Sequence, residues 1–133
     1  MNGPENLRVY GLLLRNSKVL VSAEQVAGRA ILKFPGGAVE LNETPEQALV
    51  REFEEECQLL IQPIKLLNAP GTLFSPWTLS YYTPLYYAVT ADGDPERPEH
   101  EPIEIAFLCP EETIASGDMA VPEIVALRRA LAA

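Results

Sequence analysis

The sequence predicts a layered α/β (α+β) sandwich in one domain, and three observations predict it. Strand-like runs outnumber helical ones and are interleaved with them along the chain. A strongly capped helix falls between the third and fourth of those runs. An amphipathic helix closes the chain. With 133 residues, the length suits one hydrophobic core and is short for two.

The elements follow in order. Leu7–Leu14 is an apolar run with Arg8 and Tyr10 interleaved, and Asn16–Ser17 supply turn chemistry before a second run, Lys18–Ser22. Ala30–Phe34 reads as a third strand, stopped by Pro35–Gly36–Gly37. Thr44 is a good N-cap, Pro45 fits the first helical position and Gln47 completes a capping box, so a helix is expected over about 45–57. Its apolar stripe is Leu49, Phe53, Cys57 and Leu60. Leu59–Leu67 and the tyrosine-rich Ser80–Thr90 carry strand-like content, and Pro84 predicts a bulge or an edge position in the latter. Ala91–Pro102, with five acidic residues among prolines and a glycine, reads as a solvated loop. Glu104–Leu108 is a further strand. A C-terminal helix is expected over about 122–131, covering a sheet with Ile124, Leu127, Arg128 and Leu131.

Composition narrows the function classes. A net charge of −9 argues against a nucleic-acid polymer as partner, because such binding relies on clustered Lys and Arg. It leaves open a small phosphorylated substrate that arrives with a cation. The sequence has no apolar run near 20 residues and no signal-like start, so no membrane association and a cytoplasmic location are expected. Cys57 and Cys109 form no CxxC pair and read as buried, inert thiols rather than a zinc site or disulfide.

The chemistry concentrates in Gly37–Leu59. Five glutamates lie on the predicted helix, and Glu52, Glu55 and Glu56 share one face at i, i+3 and i+4. Two carboxylates about 6 Å apart repel by about 3 kcal/mol at an effective dielectric near 20, and a shared divalent cation relieves that. A glutamate-rich helix is also what a solvated face looks like. Register separates the two readings: five residues lie between Gly37 and Glu43, seven between Glu43 and Arg51, and Arg51–Glu52–Phe53–Glu54–Glu55–Glu56 follow. A solvated face has no reason to keep that spacing.

This pattern, preceded by Pro35–Gly36–Gly37, resembles the Nudix box, the loop–helix–loop signature of the Nudix hydrolases. Two positions depart from it: Gln58 stands where the box has a glycine, and Asn42 where glycine is common. Gln58 either strains a left-handed exit by about 1 kcal/mol or the exit differs, whereas Asn tolerates positive φ. The resemblance implies an αβα sandwich with a mixed β-sheet. It also implies Mg²⁺-dependent hydrolysis of a pyrophosphate bond in a nucleoside diphosphate derivative (a nucleoside triphosphate, ADP-ribose or similar) by a metal-activated water. Mn²⁺ is the substitute cation, and a homodimer is left open.

Within that resemblance, Glu52 and Glu56 are the leading ligand pair. Glu55 is a third ligand or orients a water, and the Gly37 carbonyl is the backbone ligand. Arg51 and Glu43 are implied to tie loop to helix by an ion pair. Glu104 leads as an assisting carboxylate outside the box, with Glu101 and Glu99 next. Lys33 and Arg29 are candidates for substrate phosphates, with surface charge as the alternative. Phe74, Trp77, Tyr81 and Tyr82 are candidates for base stacking, with core packing as the alternative. His100, in the acidic loop, is expected to be solvated. The alternative function is a catalytically silent, Nudix-like nucleotide-binding module, which would bind nucleotide without product.

Overall fold

The computed structural model describes residues 6–26, 28–99 and 103–132. Its elements in order are β1 (Leu7–Arg15), β2 (Lys18–Val26), β3 (Arg29–Lys33), β4 (Gly36–Ala38), α1 (Pro45–Cys57), β5 (Gln62–Asn68), β6 (Leu73–Ser75), β7 (Ser80–Thr90), β8 (Glu104–Leu108), α2 (Pro110–Ala115) and α3 (Val121–Ala132). The sheet is mixed. Strand order is β3-β2-β1-β7-β5, with β4 on β1, β6 on β7 and β8 on β2. The β1–β7 pair is parallel and the other pairs are antiparallel.

Alternation along β1 divides the core. Val9 and Leu13 point to the face covered by α1, where they pack with Leu49, Phe53, Cys57 and Val89. Tyr10 and Leu12 point to the opposite face, where they pack with Phe34, Tyr86, Ala126 and Leu127 under α3. Successive side chains on a strand face opposite ways, so one strand serves both layers. Gly11 shares the α1 face, and a Cβ there would stand 2.6 Å from the Phe53 ring, so its bare backbone lets the helix settle. This is the αβα layering that the resemblance implied.

Several boundaries differ from the sequence reading. Leu60 is 75% exposed, and the apolar stripe of α1 continues instead through buried Leu59 and Ile61 after a left-handed residue turns the chain. Pro84 lies on an interior strand, between the part of β7 paired with β6 and the part paired with β5, so the ladder is broken locally rather than at a sheet edge. In α3, Arg128 is exposed and Leu131 is 45% exposed, while Ala126 and Leu127 are buried. Cys109 is half-buried and donates to the Glu111 carboxylate at 3.0 Å. Part of the acidic loop is pinned: Arg15 donates to the Ala91 and Gly93 carbonyls, and the Glu96 amide donates to the Cys57 carbonyl at 2.7 Å. His100 and Glu101 lie outside the described residues. No described helix is long and apolar enough to cross a membrane.

Candidate active site

The box is assembled by local chemistry. Thr44 Oγ1 accepts from the Gln47 amide at 3.1 Å, and Gln47 Oε1 accepts from the Thr44 amide at 2.9 Å. This reciprocal pair starts α1 at Pro45. Asn42 has φ 67° and Gln58, at the C-cap, has φ 50°, so both departures from glycine adopt the left-handed conformation. The Gln58 exit is therefore the strained one of the two alternatives.

Arg51 gathers the loop onto the helix. Its Nη2 and Nε donate to the two Glu43 carboxylate oxygens at 2.7 and 3.2 Å, and Nη2 also donates to the Ala38 carbonyl at 2.9 Å. Nη1 donates to Glu52 at 3.1 Å and to Glu55 at 3.3 Å. Such a fork-to-carboxylate match is the strong form of an ion pair. It holds the Glu43 carboxyl below its ordinary range, first by the hydrogen bond from Arg51 and then by the Glu40 backbone.

The glutamates separate into two groups. Glu52 and Glu56 are in hydrogen-bond contact, and burial followed by the adjoining Glu52 pushes the Glu56 carboxyl well above the usual range. The Gly36 backbone and Lys33 act in the opposite direction. Glu55, 57% exposed, turns to Arg51 instead. Gly37, paired with Val9 of β1, lies directly against Glu52: a Cβ at this position would stand 2.5–2.7 Å from the carboxylate atoms. Glu104, at the start of β8, is 71% exposed and pairs with Arg97 at 3.2 Å. Glu99 is exposed in the acidic loop. Glu54 and Glu46 face solvent, and Glu46 accepts from the Tyr87 hydroxyl at 2.8 Å.

The donor set suits a divalent cation. Two half-buried carboxyls in contact need either a proton or a cation between them, and magnesium takes oxygen ligands while keeping several waters. Among the described residues no three acidic, His or Cys side chains converge into a closed cage. An open site with two carboxylates leaves positions for phosphate oxygens.

Next to this pair opens a cavity of about 760 Å³, bounded by β1, β3, the β6–β7 hairpin and the start of α3. Arg8 stands between cavity and glutamates. Its Nε donates to the Tyr10 hydroxyl at 2.7 Å. Burial works against the Arg8 charge, but Tyr10 together with Glu52 and Glu56 more than offsets it. Lys33 faces the same space, and Glu24 pairs with it at 2.5 Å, outweighing burial to keep it charged.

Arg29 alternates with Ile31 and Lys33 on β3 and so sits about 13 Å further along the strand, at 3.3 Å per residue. There it donates to the Gly117 carbonyl at 3.1 Å and covers the Trp77 ring at 5.2 Å. Phe74 and Trp77 line the cavity and are 50% and 39% exposed; Tyr81 is 68% exposed. The core-packing alternative for these three rings does not hold. Trp77 sits in the turn of a hairpin and Phe74 on a three-residue strand, neither of which has a second layer above it.

Tyr82, the fourth stacking candidate, is half-buried and lines the cavity as well; Arg8, Tyr10, Glu24 and Glu123 also line it, and sequence reasoning missed these four as site residues. The signal for Arg8 and Tyr10 was their shared face at a period of two in an otherwise apolar strand. For Glu123 it was the helical spacing to Ala126, Leu127 and Ala130, which puts an acid on a buried stripe.

Comparison with known proteins agrees with this architecture. The NUDIX domain model matches residues 5–129. The 8-oxo-dGTP diphosphatase of Escherichia coli K12 is 54% identical over 37 residues, covering 28% of this chain and 29% of that protein. The RNA pyrophosphohydrolase of Acinetobacter baylyi is 34% identical over 85 residues, covering 64% of this chain and 48% of that protein. The matched segments thus span less than half of either relative. A NUDIX hydrolase structure from Nitrosomonas europaea superposes with a TM-score of 0.82 at 22% identity, covering 96% of this chain and 88% of that chain, a likeness of fold. With the family model spanning nearly the whole sequence and the box folded as a capped helix tied to its loop by Arg51, the chain belongs to the NUDIX family.

Proposed function

We propose that this chain hydrolyses a pyrophosphate bond in a small nucleoside diphosphate derivative, with Mg²⁺ or Mn²⁺ held by Glu52 and Glu56. The observation that carries this reading is the contact of those two carboxyls within electrostatic reach of Arg8 and Lys33, two cationic side chains that line an aromatic cavity. When bound, the cation supplies Lewis acidity to the phosphate oxygens and acidifies water. The remaining work falls to the chain. Arg8, braced on Tyr10, and Lys33, braced on Glu24, present fixed positive charge to the phosphates, and preorganised charge needs no reorganisation as the transition state forms. Phe74 and Trp77 offer ring faces for a base. In this reading Glu55, on the solvent side and paired with Arg51, orients a water. Water adds to phosphorus and releases a proton to solvent, the bridging P–O bond breaks, and the leaving phosphate oxygen takes up a proton in exchange.

The names of the matched relatives, an 8-oxo-dGTP diphosphatase and an RNA pyrophosphohydrolase, support pyrophosphate hydrolysis, and the first supports a small nucleotide as substrate. A cytoplasmic location goes with this reading, since both cysteines are free thiols. The test is a panel of nucleoside triphosphates, ADP-ribose, nucleotide sugars and dinucleoside polyphosphates with Mg²⁺, following phosphate and nucleoside monophosphate release. Glu52→Gln and Glu56→Gln run in parallel, with folding checked by circular dichroism. Turnover that drops at least a hundredfold in both variants supports the reading. Wild-type rates in either folded variant would remove it, and tight binding without product would favour the silent binding module instead.

A further inference from the structure

About 13 Å along β3 from Lys33, at 3.3 Å per residue, Arg29 joins three segments that are distant in sequence. Its Nη2 donates to the Gly117 carbonyl at 3.1 Å and stands 4.0 Å from the Asp118 carboxylate. Its guanidinium carbon lies 5.2 Å from the centre of the Trp77 ring. Gly117, Asp118 and Trp77 line the cavity and Arg29 does not. The guanidinium therefore backs the ring from outside and leaves the cavity side of Trp77 to a ligand.

The two ends of this contact are held differently. Arg29 belongs to the β2–β3 ladder, and the Leu32 amide donates to the Asp118 carbonyl at 3.0 Å, which fixes the 116–120 segment to β3. The hairpin that carries Trp77 is fastened at its base, where the Thr72 and Thr83 hydroxyls meet at 2.8 Å and the Thr83 amide donates to the Asn6 carbonyl at 3.1 Å. At its turn the bonds are internal: the Leu79 amide donates to the Ser75 carbonyl at 2.8 Å and the Thr78 amide to the Ser75 hydroxyl at 3.3 Å. Among the described residues no hydrogen bond or ion pair ties residues 75–79 to β3 or to the 116–120 segment. Arg29 supplies the directional contact that spans the gap. A ring already held loses less freedom when a ligand stacks on it, and binding is tighter for it.

We propose that Arg29 is a positioning residue for nucleotide binding: backing Trp77, it holds that ring ready as a platform for the base, and it acts through the ring rather than on phosphate. The inference rests on the nucleotide reading above and gives Arg29 a part different from the phosphate contact that its charge suggested. A phosphate chain held by Lys33 beside the Glu52–Glu56 pair lies at the other end of β3. The guanidinium is meanwhile committed to Gly117 and Trp77.

Trp77 is the chain's single tryptophan, so its fluorescence reads the contact directly. Acrylamide quenching of the free protein is measured for the wild type, Arg29→Gln and Arg29→Lys. Calorimetry in EDTA then follows adenosine, AMP and ATP, and guanosine, GMP and GTP. Arg29→Gln removes the charge and keeps a donor for the Gly117 carbonyl. It should open Trp77 to the quencher and weaken nucleoside, monophosphate and triphosphate alike, by about two- to fivefold, the value of an exposed cation–π contact. Arg29→Lys, which keeps a cation over the ring, should recover about half of that loss. With Mg²⁺, KM should rise in the same proportion while kcat holds, as for an interaction made equally in ground and transition states. In a Trp77→Leu background Arg29→Gln should weaken binding no further. Unchanged quencher access in Arg29→Gln would overturn the proposal. So would a loss that grows from nucleoside to triphosphate, which marks a phosphate contact, or a loss that persists without Trp77. A lower melting temperature with quenching and binding unchanged would leave Arg29 only the fastening of the 116–120 segment and would overturn it as well. Wild-type protein that binds none of the six ligands, with or without Mg²⁺, would remove the nucleotide reading and this role with it, whereas unchanged quencher access beside normal nucleotide binding would remove the role of Arg29 alone.

Discussion

Replacing Arg51 with methionine tests how the box is held together. The guanidinium makes two bonds to Glu43 at 2.7 and 3.2 Å, one to the Ala38 carbonyl at 2.9 Å and one to Glu52 at 3.1 Å. The Arg51 and Glu43 side chains are 26% and 17% exposed, between a surface pair and a buried one. Surface pairs contribute about 0–1 kcal/mol, and breaking a buried pair costs about 3–5 kcal/mol. The partners at Glu55 and Glu40, 57% and 62% exposed, are discounted to a few tenths each. The loss expected for Arg51→Met is therefore about 2–3 kcal/mol, or a fall of about 10 °C in melting temperature for a domain of this size. Arg51→Lys should recover less than half, because an ammonium cannot make the two parallel bonds. Urea unfolding followed by circular dichroism reads both, and a double-mutant cycle with Glu43→Gln should show a coupling of about 1–2 kcal/mol. A loss under about 0.5 kcal/mol, or no coupling to Glu43, would refute the argument.

Three further outcomes follow from the same geometry. Gly11→Ala should cost about 1–3 kcal/mol in urea unfolding, because its Cβ would stand 2.6 Å from the Phe53 ring; pairing it with Phe53→Leu should cost less than the sum of the two changes. Gln58→Gly should stabilise the protein by about 1 kcal/mol, since the C-cap has φ 50°, and a loss of stability would show that the Gln58 side chain contributes more than its backbone costs. Glu123 sets a pH dependence: burial pushes its carboxyl up to about 8 in the folded chain against 4.5 ordinarily, so the folded state binds more protons between those values. Its contribution is fully present below about pH 4.5 and is lost as the pH rises to about 8. Wild-type stability should then fall relative to Glu123→Gln by up to about 1.4 kcal/mol per pH unit in that window, and parallel curves would contradict the burial argument.

Much of this fold was legible because its signals are local. The capping box at Thr44 and Gln47, the tyrosine-rich run Ser80–Thr90 and the strand Glu104–Leu108 are written in neighbouring residues, and all appear where those residues place them. The short pieces were not legible. Gly36–Ala38 is a strand only because β1 offers it a partner, and Leu73–Ser75 only because β7 does. Leu60 was misplaced because one left-handed residue at Gln58 shifts every later side chain off the helical repeat.

The sequence alone determined the box: its spacing places an arginine and three glutamates on one helix whatever the rest of the chain does, because helical geometry is local. Only the tertiary structure decided which of them act together. Glu52 and Glu56 meet under β1 and β4, whereas Glu55, on the same helix face, is drawn out to Arg51. Arg8 and Glu123 lie more than a hundred residues apart, and no periodicity joins them to one cavity. Their meeting depends on a parallel β1–β7 pair and on α3 being fastened over β5, contacts whose partners are distant in sequence. Burial, and with it the chemistry of a carboxyl, is a property of what packs above a residue rather than of the residues beside it.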